Sequence, residues 1–382
     1  MVDNINGISK CGIDSVKLNT FINTEIEMKK LRFHVPDVKG KSKCHKMHIG
    51  RKQETCPVLK VHDTIMEEVT EDTYLGDIIS SDGKNSKNLE HRISKGIGII
   101  SQIMHILESV SLGEHYIDIA MLLRESMFLN GVLTNAEIWY NLSEAEIQEF
   151  ENLDRLLLRR ILQVPVSTPK EAFFLELEII PIAVTIKARR INYLHYLVNR
   201  KQSEMLYKFF VTQANQPCKG DWTEAVKRDL EQFNIPYDFN YLKSKSKDAF
   251  KRIVKNKAKE VALEVLKAKQ QKHTKMENLK FLELKRQTYF NLQHLRVEDM
   301  RNVFRFRVRM ARFGHNYRGN RDNVVCPLCA SHLDKQHLVF QCKEITSRIR
   351  IQCNINDVYC QPQAKAKAKA MPGRLYIHTR NK

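Results

Sequence analysis

Between Asn88 and Asn199 apolar residues recur at helical spacing, and prolines and capping sequences divide the run into separate helices. Leu89, Ile93, Ile97, Ile100, Met104 and Leu107 follow one another at steps of three or four, which aligns them on one face of a single helix. Ser143-Glu144-Ala145-Glu146 has the form of a capping box, in which hydroxyl and carboxylate each take a free N–H group at a helix start. The helix it opens carries Ile147, Phe150, Leu153, Leu157 and Ile161 on one side. It must stop near Pro165, which has no N–H to extend the ladder. Thr168-Pro169-Lys170-Glu171 repeats the capping pattern, with proline at the first helical position. Pro181 breaks the run again, and Ile182 to Asn199 restarts it with Ile186, Leu194 and Leu197 inward. Stripes of this kind are packing faces. They predict a helical bundle.

The flanking segments read differently. Ser15 to Lys30 predicts a helix, with Val16, Ile22, Ile26 and Leu31 near one face. Leu31 to Val35 and Lys43 to Ile49 are extended candidates separated by Pro36 and Gly40, and Tyr74 to Ile79 is a strand closed by the turn Ser81-Asp82-Gly83. His45 and His48 fall within a predicted strand, which places them toward solvent or phosphate rather than a metal. Beyond the bundle, Gln202 to Asn240 reads as a polar connector with one amphipathic helix, Trp222 to Phe233. Lys243 to Lys280 suits a long helix or helix pair exposed as a basic rod. Val303 to Phe313 alternates like a strand, but Phe306, Met310 and Phe313 also share a helical face, with Arg305, Arg309 and Arg312 on another. The helix is preferred. From Gln361 onward the chain turns to an Ala/Lys alternation, Ala364 to Ala370, expected to be disordered.

The 382 residues suffice for two or three domains. No apolar run reaches the ~18 residues of a membrane span, and the N-terminal residues lack a signal-peptide core. An intracellular chain with nine cysteines holds them reduced. The formal net charge is +19, and the stretch from Tyr241 to Asn320 holds 22 Lys or Arg against 7 Asp or Glu. A localised basic excess suits a polyanion, because each neutralised phosphate releases condensed counterions. The candidate contacts to RNA or DNA are Lys251, Arg252, Lys255, Arg305, Arg307, Arg309, Arg312 and Arg318. Phe304 and Tyr317 are candidates either to stack on bases or to be buried. Lysine-rich runs such as Lys243 to Lys259 are compatible with a nuclear location.

Cys326, Cys329, His337 and Cys342 stand in a C-x2-C-x7-H-x4-C spacing. A CxxC turn offers two thiolates from one tight loop and a short return segment the other two ligands, which is what tetrahedral Zn²⁺ needs. A structural zinc knuckle over residues 321–345 is the expectation.

In their order these pieces resemble the C-terminal part of a non-LTR (LINE-type) retrotransposon reverse transcriptase, of the branch ending in a CCHC knuckle and a restriction-like endonuclease. The resemblance is carried by Lys43-Cys-His-Lys-Met-His-Ile-Gly50 where palm motif D belongs and Tyr74-Leu-Gly-Asp-Ile-Ile-Ser80 where the primer grip belongs. Leu122-Leu-Arg-Glu-Ser126, Asn135-Ala-Glu-Ile-Trp-Tyr140 and Lys187-Ala-Arg-Arg-Ile191 match thumb-like helices, and Arg309-Met310 precedes the knuckle. It implies a mainly α protein: a small α/β palm remnant with the primer-grip strand (1–86), a thumb-like bundle (87–200), a connector and basic helical region (201–320), the knuckle and a basic tail (346–382). In that family two palm aspartates hold the Mg²⁺ ions of nucleotidyl transfer. Here Asp3 fits the first, but Asn4 stands in the place of the second and carries no charge to offset a metal. Fingers and upstream palm would precede Met1, and no family-like endonuclease carboxylate set is legible after Cys342. The resemblance therefore implies a truncated element product that binds RNA or DNA, with Mg²⁺ involved only if a polymerase site were completed. An active polymerase completed by another chain and a degraded, functionless product are the competing readings.

Overall fold

The computed structural model describes residues 12–28, 45–49, 58–61, 64–74, 76–110, 112–216, 218–276, 279, 281, 283–291, 295–310, 325, 329–331 and 337. The chain divides into two compact units, Met1–Ser94 and Lys95–Lys382. It is mainly helical, with small two-stranded sheets.

In the first unit, helix α1 (Gly12–Met28) takes in the predicted helix from Ser15 to Met28, residues 29–30 lying outside the described ones, and its Asn19 and Asn23 carboxamides both donate to the Lys60 carbonyl, at 2.8 and 3.0 Å. Strand β1 (His45–Lys46) runs parallel to β4 (Glu67–Glu68), β2 (Lys60–Val61) pairs antiparallel with β3 (Thr64–Ile65), and β5 (Glu71–Tyr74) with β6 (Asp77–Ser80). Of the extended stretch predicted over Lys43 to Ile49, His45 and Lys46 pair and are the only two to do so among its described residues, 45–49; Leu31 to Val35 lies outside the described residues. The strand predicted over Tyr74 to Ile79 is corrected: Tyr74 pairs with Asp77, so the chain reverses inside it. Gly76 has φ +84°, a conformation open to glycine and strained for other residues, and that makes the tight hairpin possible. The turn expected at Ser81 to Gly83 forms, with Gly83 N–H donating to Ser80 O at 3.0 Å and Lys84 N–H to Asp82 Oδ1 at 2.9 Å.

Helix α2 (Ser86–Ser109) begins on this hairpin: Asn88 Oδ1 accepts from Ile78 N–H at 3.2 Å, and Arg92 Nη2 lies 2.5 Å from Asp77 Oδ1. Its buried stripe differs in phase from the predicted one. Leu89, Ile100 and Leu107 are buried as predicted, but Ile97 is 53 % exposed while Gly96 and Ile103 are buried. The reason is a close approach: a Cβ on Gly96 would stand 3.0 Å from both Leu153 Cδ1 and Val132 Cγ2. Counting apolar side chains passes over a glycine that marks the contact face.

In the second unit, α3 (Tyr116–Leu123) runs through a wider π-helical turn (Arg124–Leu129) into α4 (Asn130–Val132). Helix α5 (Glu144–Leu162) starts at the predicted capping box: Ser143 Oγ accepts from Glu146 N–H at 3.2 Å, and Glu146 Oε2 accepts from Ser143 N–H at 2.8 Å. Such caps contribute about 1 kcal/mol. It ends at Gln163, as Pro165 requires. Helix α6 (Lys170–Leu177) corrects the second predicted box: Pro169 is the cap residue, no side chain caps the helix, and Thr168 is buried beside it. Helix α7 (Ile182–Val198) follows Pro181 and buries Ile186, Leu194 and Leu197 as predicted. The connector is richer than predicted. It holds α8 (Met205–Asn215), α9 (Trp222–Gln232) and α10 (Phe239–Lys243), because Gly220 and Pro236 fall between helices.

Helix α11 (Lys247–Gln270) is one helix and not an exposed rod. Phe250, Val254, Ala258, Val261, Ala262 and Leu266 are buried along it, with the Phe250 ring stacked on His195 of α7 at 4.4 Å. Helix α12 (Val297–Arg307) bears out the helical reading of that segment up to Arg307. Three residues quoted for the family resemblance hold this unit together. Arg124 grips Asp154 with two hydrogen bonds of 2.7 and 2.5 Å, both residues buried. Arg190 binds Asp229 at 2.7 Å and the carbonyl of Trp139 at 2.5 Å. Removing one member of such a buried pair costs about 3–5 kcal/mol. Among the described residues no helix is long and apolar enough to cross a membrane.

Candidate nucleic-acid interface and metal knuckle

Helix α11 forms because Ser246 caps it, accepting from Ala249 N–H at 3.3 Å, and because its last turn carries Lys267 and Lys269 against the negative helix end. The buried face sets where the cations go. Lys247, Lys251 and Lys255 stand four residues apart with Arg252 beside them, and all four are exposed. The stripe spans about 12 Å at the helical rise of about 1.5 Å per residue. Farther along, Lys257 pairs with Glu260 at 2.8 Å and Lys259 with Glu178, so those two charges are answered within the protein. Lys251, Arg252 and Lys255 have no acidic partner among the described residues.

The arginines of α12 do the opposite. Arg307, 3 % exposed, donates through Nε to both oxygens of Glu176, at 2.9 and 3.0 Å. Tyr289 donates its hydroxyl to the same carboxylate at 2.8 Å. Burial pushes the Glu176 carboxyl above its ordinary pKa, against the pull of Arg307 and Tyr289. Burial, and then the charge of Glu176, raises the Tyr289 phenol well above its own. Arg305 reaches Glu298 at 2.8 Å, Asn302 at 2.9 Å and the Gln163 carbonyl at 2.8 Å. Burial of Arg307 against Glu176 corrects its assignment to phosphate, while Arg305 makes internal contacts and stays partly exposed. Phe304 is fully buried, its ring stacked on Phe173 at 5.5 Å, and so does not face bases. Arg309 lies past the end of α12 at φ +54° and is partly exposed. Arg312, Tyr317 and Arg318 lie outside the described residues.

Two of the four knuckle residues are described, and they meet. Cys329 Sγ lies 3.1 Å from His337 Nε2, and the histidine is buried. Zn–S and Zn–N bonds of about 2.3 and 2.0 Å in a tetrahedron separate two such ligands by roughly 3.5 Å. The two side chains thus stand at hydrogen-bonding distance, somewhat closer than two ligands of one zinc ion, and both are of a type that zinc takes. Cys326 and Cys342 lie outside the described residues, as does Asp3, and no group of three or more metal-ligating side chains occurs among the described ones. His45, half-buried, stands 3.8 Å from Asp72, and His48 is exposed.

Sequence reasoning missed a polar cleft of about 430 Å³ whose lining includes Arg155, Thr168, Lys170, Lys272 and Lys275. Its residues come from two stretches a hundred positions apart, so no local spacing marks it. The one sequence signal is Thr168-Pro169, which looks like a cap and is not one. No family model, curated protein or solved structure matches the chain.

Proposed function

We propose that the protein binds RNA or DNA by its phosphate backbone, with the outer face of α11 as the principal contact and a zinc-closed knuckle at Cys326, Cys329, His337 and Cys342 as a second. The observation that carries this reading is the stripe of Lys247, Lys251, Arg252 and Lys255, exposed on a helix whose other face is core. A rigid row of cations matches a polymer that presents one charge per about 3.4 Å of each strand. The contact reads backbone rather than sequence, since lysines act as point charges. Zinc would supply closure of the knuckle loop, through the thiolates and the buried imidazole. Descent from a retrotransposon reverse transcriptase belongs to the same proposal, as does a nuclear location. Asn4 in the place of a second palm aspartate supports binding without DNA synthesis.

The test is binding of the full-length protein to structured RNA and to duplex DNA across a salt series, with and without a zinc chelator. The affinity is expected to fall linearly on logarithmic axes, by about 0.9 decades per decade of salt for each phosphate engaged on a duplex, and to drop on chelation. Weak binding indifferent to salt and zinc would overturn the proposal. Template-dependent DNA synthesis from primer and nucleotides would overturn its non-catalytic part.

A further inference from the structure

The cleft between the start of α6 and the segment following α11 has a composition that the nucleic-acid reading does not use. Lys170 Nζ lies 2.5 Å from Glu151 Oε2 and 2.8 Å from Gln148 Oε1, and His273 Nε2 lies 3.3 Å from Glu171 Oε2. Glu151 is thus answered by the Lys170 ammonium, whereas Glu171, which lines the cleft, faces an imidazole that is cationic only when protonated. Arg155 donates to the carbonyls of Val166 and Thr168, and Lys275 to that of Ser167 at 3.3 Å. Carbonyls are neutral, so the contacts of Arg155 hold its guanidinium in place without cancelling its charge. Lys272 is exposed at the rim. The surplus reaches along α5, where partial burial and then repulsion from Arg155 and Arg160 lower the Arg159 pKa.

Two independent features give this surplus a direction. Helix α6 opens into the cleft at Pro169, Lys170 and Glu171, and no side chain caps its first turn. Free N–H groups at a helix start form an anion site. Thr168 lines the same cleft at 0 % exposure, and its hydroxyl has no hydrogen-bond partner among the described residues. A buried donor without a partner is rare, because it forfeits its hydration for nothing in return.

We infer that this cleft binds a phosphoryl group, whose oxygens accept from the first-turn N–H groups of Lys170 and Glu171 and the Thr168 hydroxyl while Arg155 and Lys272 balance its charge. The site stands apart from the α11 stripe and needs no polynucleotide to be tested. Thermal unfolding of the full-length protein in inorganic phosphate, against chloride at matched ionic strength, is expected to show a Tm rise specific to phosphate. Lys272→Ala removes an exposed side chain, and Thr168→Val keeps the shape while removing a hydroxyl that bonds nothing in the fold, so both variants retain the structure. Each is expected to weaken phosphate binding about tenfold, the effect of removing one charge-assisted hydrogen bond. Equal shifts in phosphate and chloride, or phosphate binding unchanged in both variants, would overturn the inference. Titration with adenosine monophosphate and with a short labelled RNA then separates the sources. Variant-dependent loss of RNA affinity assigns the site to backbone phosphodiesters, and loss confined to the mononucleotide assigns it to a free phosphomonoester; both outcomes support the cleft. Neutralising α11 leaves the phosphate titration unchanged, so the two proposals fail separately.

Discussion

Helices α11 and α12 both read as basic in the sequence, and the fold uses their charges in opposite ways. On α11 the outward face holds Lys247, Lys251, Arg252 and Lys255 in solvent, and the inward face from Phe250 to Leu266 is apolar. On α12 Arg301 and Arg307 are buried; Arg301 donates to the Ile161 carbonyl at 2.8 and 3.1 Å. The difference follows from side-chain chemistry. A guanidinium is a planar fork that satisfies several acceptors at once and tolerates burial, whereas an ammonium is a strongly hydrated point charge. A count of basic residues therefore measures charge and not its availability. What decides availability is whether a carboxylate or carbonyl waits on the neighbouring helix.

The sharpest way to break this contrast is Arg307→Ala. It leaves Glu176 buried without its cation, and chemical denaturation is expected to show a loss of about 3–5 kcal/mol. Replacing the pair together, Arg307→Met with Glu176→Leu, is expected to recover most of that loss. A cost below about 1 kcal/mol for the single change would mean that the buried pair does not organise α12. The complementary test exchanges Lys251, Arg252 and Lys255 for glutamine. Stability is expected to stay within about 0.5 kcal/mol per site, while the salt slope of nucleic-acid binding becomes shallower by about 0.9 for each phosphate no longer neutralised.

The smallest effect concerns a carboxylate outside the core. At Asp221, the cap of α9, burial opposes ionisation, but N–H groups of Glu224, Cys218 and Thr223 outweigh it and hold the pKa below the ordinary value. Asp221→Ala is expected to cost about 1 kcal/mol at neutral pH. With a depressed folded pKa, this contribution is complete above the ordinary aspartate value of about 3.9 and fades as pH falls through the lowered one. Stability curves of the two proteins that stay parallel through that acid range would contradict the capping role.

Local signals were the legible ones. Ser143 with Glu146, the stops near Pro165 and Pro181, and the period of α7 lie within a few residues of what they determine, and the helices follow them. The hairpin inside Tyr74 to Ser80 was hidden because its apolar residues have strand character on both sides of Gly76. The burial of Arg307 was not legible, since its partner Glu176 stands 131 positions earlier. For the same reason Thr168 read as a helix cap when it is a wall of a cleft completed by residues 272–275. Of the proposed knuckle, Cys329 and His337 are the described members, and they stand 3.1 Å apart.

The wide turn at Arg124–Leu129 has a consequence for the run that contains it. Ala120, Arg124, Phe128 and Val132 are all buried, at intervals of four. In an ordinary α-helix a residue advances about 100°, so every interval of four overshoots a full revolution by about 40°. Three such intervals would rotate Val132 about 120° away from the direction of Ala120. The looser winding takes up part of that angular excess and keeps Arg124 on Asp154 while Val132 still reaches Gly96. Chain length and phase are locked together there: a substitution that preserves length keeps the alignment, and a deletion of a single residue turns one half of the run out of step with the other.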